Sequence, residues 1–418
     1  MPGRGQRRCG PLVLTAAGVG LNTGISHHQR RGPRRERAIA VAARAALRWS
    51  PGVIPAGGAR SLQVAEGAGE LEALRREWGS LQADFGGPSN HLEWWIAHAH
   101  APESDARLCV VVLRDAGRLV GIAPLLRARG AAGKLRLINS DDASGLLYAD
   151  EQTLAWLIDA VLALRRTLAL PSLIVGSPTA RVLEQRIRRR GYLRWNRSLL
   201  MGPSVALDDR FDQPLAPLSS KRRKSLRRRQ RKAEELGSVS FDVEEVHEDP
   251  TPQFEELLRI EGSGWKGREG TAIAQDVPQR ERLRRFVSSP LMREHVRFGW
   301  MRIDGSAIAG ELAVMMDDRM WAIKAGYDER FPQLSPGILL ELHLMSWAAQ
   351  QGLETYELMG HMDGWKRPFG EGILLLHVRV YPISPRGILA LALEATEQGG
   401  RILGTQVRSW LATRREAR

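Results

Sequence analysis

The second half of this chain echoes the first, and an internal echo of that kind restricts the fold to two copies of one unit. Val111 to Leu125 reads VVLRDAGRLVGIAPL, and Gly299 to Val314 reads GWMRIDGSAIAGELAV. Each is a pair of apolar runs joined by a polar, glycine-containing turn, the pattern of a β-hairpin. Placing Asp115 on Asp304 brings Gly121 onto Gly310. Upstream of each hairpin lies an amphipathic helix start, Glu70–Trp78 in one half and Gln253–Glu261 in the other. Downstream of each lies a short buried strand that follows a helix, Leu173–Val175 and Tyr356–Leu358. Strands and helices alternating in this repeated order predict an α/β fold of mixed sheets, built as two tandem units.

The length agrees. A chain of 418 residues, 43% of them hydrophobic, is too long for one ordinary domain and suits two of roughly 150–200 residues. The pattern sets the bounds: a disordered basic leader at 1–60, a first unit at 61–207, a second at 208–396 and a polar tail at 397–418. In the first unit we expect a helix at 151–169, the strand SLIVG and a helix at 178–190. The second should open with a basic helix and end with the strand ILLLHVRVYP and an apolar helix after Pro385.

The formal charge of +14 is concentrated in two places. Residues 1–60 hold eleven arginines against the single acid Glu36. Ser219 to Lys232, SSKRRKSLRRRQRK, holds nine cations and no acid. The rest of the chain is net negative, unlike a nucleic-acid binder that spreads a basic surface over its fold. Two cysteines, Cys9 and Cys109, exclude a disulfide framework and a cysteine-based zinc site, and fit a reducing, cytoplasmic setting. Ten histidines show no metal-ligand spacing, so no metal is expected. The apolar run Pro11–Leu21 is diluted by Thr15, Gly18 and Gly20, and no run reaches the roughly 18 apolar residues of a membrane span.

One string carries a chemical signal. WAIKAGYDERFPQLSPGILLELH reads as a strand, a polar loop and a helix opened by Ser335-Pro336-Gly337. A helix N-terminus offers unpaired N–H groups and the positive end of a dipole, which suit a phosphate. Gly337 would let that backbone come close. The other reading of the same residues is a plain helix cap, with Ser335 as cap and Pro336 in the first helical position. That reading explains Ser335 and Pro336 but does not require Gly337, where a stronger helix former would serve better.

Four strings together, SSKRRKSLRRRQRK, GWKGREGTA, KAGYDERFPQLSPG and YELMG followed by Trp365-Lys366, resemble the tandem-GNAT acyltransferases. Among these the likeness is to the bacterial cellulose-biosynthesis-associated acetyltransferases, and it covers roughly residues 61–385. The group is similar in turn to the Fem-type peptidyl transferases, which use two GNAT units and aminoacyl-tRNA donors. The resemblance implies two GNAT-like domains with the working site in the second, and acetyl-CoA or another acyl-CoA as donor. It also implies a small-molecule or glycan acceptor in polysaccharide or cell-envelope assembly. The first unit has no counterpart of KAGYDE and SPG; its Asn139–Leu147 loop, with Asp142, would line the acceptor side. One departure stands out. The family's pyrophosphate loop is glycine-rich, whereas Phe331 to Gly337 here includes Pro332 and Pro336, which have no N–H to offer.

On this resemblance the donor would contact Leu334, Ser335, Gly337 and Ile338. Glu261 would be the general base that an amine acceptor needs, since an ammonium cannot attack. Tyr327 would protonate the departing thiolate, Lys324 would meet a phosphate or an acceptor carboxylate, and Lys324 and Asp328 would stand at the mouth of the cleft. Strand alternation puts Lys324 and Asp328 on one face and Tyr327 on the other, unless the strand bulges or ends there. Trp265, Lys266 and Lys366 would line the acceptor pocket. Each has a plainer reading as a core aromatic or a solvated charge. The basic helix at 219–232 is open between a linker, a clamp for a cofactor phosphate, and a contact for tRNA or anionic lipid. The function expected is therefore an acyl-CoA-dependent N- or O-acyltransferase. The alternatives are a Fem-type aminoacyl-tRNA transferase and a catalytically degenerate GNAT pair on an anionic membrane.

Overall fold

The computed structural model describes residues 54–55, 60–102, 105–129, 133–138, 145–190, 192–270 and 272–396. The expected tail at 397–418 lies outside them, as does the expected leader apart from Ile54–Pro55, which pairs with Leu62 and Ser61, and Arg60, which opens the next strand.

Two mixed sheets form the frame. The larger has ten strands among the described residues and runs from Ile54–Pro55 and Arg60–Ala65 through the hairpin Ala106–Asp115 and Arg118–Ala128. It continues through Leu135–Leu137 and Leu168–Ile174 to Ile373–Pro382 and Tyr192–Met201. The second has six: Ser204–Ala206, Thr355–Glu357, Arg319–Tyr327, Ser306–Met316, Val296–Ile303 and Val239–Glu245, in that order across the sheet. Helices cover both faces of each. In the second sheet, Pro336–Gln350 packs on one face through Leu339, Leu342 and Met345. Thr251–Gly262 covers the other through Phe254, Leu257 and Leu258, the i, i+3, i+4 spacing of one helical stripe.

The repeat is real, with its register moved by one residue. The two-residue turns are Ala116-Gly117 and Asp304-Gly305, all four with positive φ, as a hairpin turn matched to strand twist requires. The equivalent of Asp304 is therefore Ala116. Aligning on the aspartates matched a turn residue to the strand residue preceding the other turn. The structure adds a second likeness, because each hairpin carries a bulge at the same distance from its turn, at Val120 and at Ile308.

Two further expectations change. The helix from Glu151 ends at Ala163, and Leu168–Ile174 is already strand. The strand Ile373–Pro382, read from sequence as part of the second unit, lies in the first sheet between Leu168–Ile174 and Tyr192–Met201. Its Val378 and Val380 belong to the first core. In the other direction, Ser204–Ala206 leaves the first sheet to pair with Thr355–Glu357 in the second. Periodicity marks a strand but does not say which sheet receives it.

Candidate functional site

The central strand of the second sheet, Arg319–Tyr327, opens away from its neighbour. It pairs in parallel with Thr355–Glu357 through Arg319, Met320 and Trp321 only, and beyond Trp321 that edge has no strand partner among the described residues. On its other side it stays paired with Ser306–Met316, bulging between Ala322 and Lys324. The sheet is left open along that edge, past the end of its short parallel neighbour. Helix Thr251–Gly262 closes one side of this strand so tightly that a Cβ on Gly326 would stand 2.8 Å from the Cα of Glu261. Only glycine allows that approach.

Next in the chain comes the helix Pro336–Gln350. Its first turn is not capped by Ser335: that residue has φ 50° in the left-handed region, and its hydroxyl makes no cap hydrogen bond. The hydroxyl is held instead by the guanidinium of Arg229, from the basic helix Ser220–Glu234. The backbone carbonyl of Ser335 accepts from Ile338 and Leu339, while the Gly337 N–H has no protein acceptor among the described residues. The preceding turn spends its N–H groups on itself, Leu334 on Phe331 and Ser335 on Pro332. One free N–H, a helix dipole and one arginine therefore converge at this point. Across from them is Tyr327, whose ring lies 3.4 Å from where a Cβ on Gly337 would sit.

The basic helix is thus more than a linker. Arg222, Leu226, Arg229 and Ala233 recur at helical spacing on its inner face. Leu226 and Ala233 are buried, and Arg222 donates to the carbonyl of Trp365 at 3.0 Å. Burial, then the neighbouring charge of Arg229, lowers the pKa of Arg222. Arg223, Lys224, Arg227 and Arg231 line an outer groove with Ser220, Gln230 and Glu234.

The residues singled out from sequence divide sharply. Gly337, Ser335 and half-buried Ile338 lie at the helix N-terminus as expected. Leu334 does not reach outward; at 1% exposure it is a core residue. Lys324 is half-buried on the open strand, and Tyr327 stands exposed at its end. Asp328 is buried and folded back on Arg330, accepting from its backbone N–H at 3.0 Å and its Nη2 at 2.6 Å. The Arg330 guanidinium holds the Asp328 carboxyl below the usual carboxylate range. It is a turn-forming carboxylate, already satisfied. Lys366 is not an open acceptor contact either: it is 7% exposed, and its Nζ donates to the carbonyls of Met359 and His361 at 2.6 and 2.9 Å.

Glu261 is buried, and its Oε2 accepts from the N–H of Ile273 at 2.9 Å. That bond pins the segment after Trp265–Arg268 to the helix lying on the open strand. The same segment is tied to the strand's end by Arg268 and Glu329, 2.6 Å apart. The side chains of Trp265 and Lys266, and Asp142 altogether, lie outside the described residues.

Sequence reading missed one cluster entirely. Glu311, on the strand beside the open one, and Glu341, one turn beyond Gly337, meet in the core under Tyr356, whose hydroxyl donates to Glu311 Oε1 at 2.5 Å. Burial raises the pKa of both carboxyls, and that of Glu341 is raised further by the charge of Glu311. The pair favours the protonated form of Glu341, the carboxyl pushed further up of the two. The signal was present in AIAGELAVMM and PGILLELHLM, each a lone acid in an otherwise apolar run. Among the described residues no group of three or more His, Cys, Asp or Glu could hold a metal ion, and no helix is long and apolar enough to cross a membrane.

Residues 220–367 match the family model described as an acetyltransferase (GNAT) domain. No curated protein matches the chain significantly in sequence. Among solved structures, FemX is similar with a TM-score of 0.51 at 12% identity, over 75% of this chain and 96% of that one. A tandem GNAT protein from the clavulanic acid biosynthesis pathway gives 0.45 at 13% identity, over 78% and 99%. The C-terminal domain of an Agrobacterium fabrum protein named as a lysylphosphatidylglycerol synthetase gives 0.45 at 13% identity, over 72% and 91%. At these identities the likeness concerns the fold alone. The open strand, the helix that follows it and the basic helix all fall within the residues that match the GNAT acetyltransferase model, inside a mixed α/β fold of two sheets.

Proposed function

We propose that the chain is an acyl-CoA-dependent acyltransferase whose donor site is the open edge of Arg319–Tyr327 and the start of Pro336–Gln350. The observation that carries this reading is the Arg229–Ser335 contact, which sets a fixed cation beside the Gly337 N–H, a group with no protein acceptor among the described residues. A phosphate fits such a place, since a guanidinium and a helix N-terminus both favour negative charge. Here an arginine supplies what the proline-containing loop withholds. The donor brings an activated thioester; the protein's part is to orient it and to move protons. The edge of the open strand past its last parallel pairing at Trp321 would face the acyl carbonyl. Glu261, against Gly326, is the residue proposed to take the acceptor's proton, and Tyr327, on the opposite face, to return one to the leaving sulfur. Lys324 would steady an anionic group between them.

The outer face of the basic helix favours one second reading, an aminoacyl-tRNA donor, because Arg223, Lys224, Arg227 and Arg231 present a row of cations. Melting-temperature shifts separate the two. The first reading expects acetyl-CoA to stabilise the protein while tRNA at the same salt does not. Stabilisation by charged tRNA alone would replace it with the second. An acceptor in polysaccharide or envelope assembly remains part of the proposal, to be identified by screening sugar amines and alcohols for acetyl transfer.

A further inference from the structure

Where the first sheet runs from Leu135–Leu137 through Leu168–Ile174 and Ile373–Pro382 to Tyr192–Met201, one of its faces carries an open cleft. Along Ile373–Pro382, Val378 and Val380 enter the core, while His377 and Arg379 turn the other way. The same alternation buries Leu135 and Leu137 and turns out Arg136 between them. The cleft on that outer face has a volume of ≈ 430 Å³, and its charged and imidazole lining is Lys134, Arg136, Arg197, Arg379, His361 and His377. No Asp or Glu lines it among the described residues.

The cations are only partly balanced. Lys134 and Arg379 share one carboxylate behind the cleft, Glu394, at 2.6 and 2.7 Å. Arg197 is exposed and has no ion-pair partner among the described residues. The local field is positive enough to act on His377: burial first, then Arg379, Lys134 and Arg197, push its pKa down to about 4. Opposite His377 the neighbouring strand bulges at Pro171–Ser172, and Ser172 takes a left-handed φ of 64°. Arg379 also lies 5.3 Å above the Trp195 ring, which fixes its direction.

The cleft is joined to the donor unit. Its rim includes Gly360 and His361, in the turn that continues from Thr355–Glu357, the strand from which the central strand separates. Gly202 N–H donates to the Gly360 carbonyl at 2.8 Å, His361 bridges to Met201, and Lys366 holds the carbonyls on either side of Gly360. The turn is fixed between the two sites.

We propose that this cleft binds a phosphate or diphosphate group of the acyl acceptor. The identity as acceptor site rests on the acyltransferase reading above. Lys134, Arg379 and Arg197 stand against the one carboxylate of Glu394, an excess that a phosphate ester, with more charge than a carboxylate and three oxygens for guanidinium forks, matches better. The volume admits a small organic molecule as well as its anionic end.

The test titrates inorganic pyrophosphate by calorimetry into the full chain carrying Arg229→Gln, so that the helix N-terminus cannot compete for it. Saturable binding is expected, weakened at least tenfold when Arg197→Gln is added and similarly by Arg136→Gln, with succinate at least tenfold weaker than pyrophosphate throughout. Arg197 makes no ion pair, so its substitution should leave the melting temperature unchanged; Arg197→Lys, which keeps the charge, should recover part of the affinity. Pyrophosphate binding indifferent to both cleft substitutions overturns the site, and succinate binding as well as pyrophosphate overturns the phosphate assignment. A parallel titration of acetyl-CoA into Arg197→Gln should match the wild-type chain. If acetyl-CoA binds neither while the cleft responds as expected, the donor reading fails and the anion site stands.

Discussion

Arg229 is the residue on which the donor site turns, and it was visible in the sequence only as one of nine cations in a run. Helical spacing alone could have divided them: with Leu226 inward, Arg222 and Arg229 share its face, and Arg227 does not. We predict that Arg229→Gln weakens acetyl-CoA binding about tenfold or more, the worth of a charge-assisted hydrogen bond, with a clear dependence on salt. Arg227→Gln should stay within about twofold, the scale of an exposed charge. Equal losses in both variants, measured by calorimetry, would reduce the basic helix to a diffuse cationic surface. The Glu311–Glu341 pair gives a pH prediction. Both folded pKa values lie above the unfolded ones, so the protonated pair supports stability fully below the ordinary carboxylate range, and that support is lost as pH rises through the raised values. Glu341→Gln keeps a donor for Glu311 without a titrating proton. Its melting temperature relative to wild type should therefore rise as pH climbs above the ordinary carboxylate range. A constant difference over that climb would mean the pair does not titrate as the geometry requires.

At the scale of elements, the hairpins, the helix at Pro178–Arg190 and the strand–loop–helix of the donor site were legible, because each follows from periodicity and turn chemistry within about twenty residues. What was not legible is the choice of side-chain partner. Periodicity does not say that Ser335 gives up its cap role to the distant Arg229, or that Asp328 is consumed by Arg330 two residues on. Nor did Lys366 announce itself as a staple for the turn at Gly360. The open strand depends on Gly326, since the Glu261 backbone occupies the space a side chain would need. Gly326→Ala should destabilise the protein by about 1–3 kcal/mol in urea unfolding, the cost of forcing two packed backbones apart. It should also lower acyl transfer, because the helix that must shift carries Glu261. Glu261→Gln tests that residue by itself: acetyl-CoA affinity should persist while turnover falls about a hundredfold or more. Unchanged turnover at every pH would leave Glu261 a structural role, holding Ile273.

The whole molecule is tied together by exchanged strands. Ile373–Pro382 returns to complete the first sheet, and Ser204–Ala206 crosses to the edge of the second. The repeat could be read from sequence because it is a local pattern duplicated; the exchange could not, because a strand's pattern fits either sheet. Ending the chain after Phe369 should therefore unfold the first unit, exposing the core that Val378 and Val380 complete, and should show as lost hydrogen-exchange protection across Leu168–Ile174 and Tyr192–Met201. Protection lost only within the second sheet would contradict the exchange. The exchange also brings the cationic cleft and the open strand to the two ends of one fixed turn, an arrangement suited to a two-substrate transfer. The most direct measurement of the central claim is a glycine-selective 15N spectrum of the full chain titrated with acetyl-CoA, with the Gly337 resonance assigned by its loss in Gly337→Ala. The account predicts that the Gly337 amide shifts more than those of Gly176 and Gly352, which lie outside the site, and that the shift is lost in Arg229→Gln. Saturation with acetyl-CoA that leaves the Gly337 amide unmoved would contradict it.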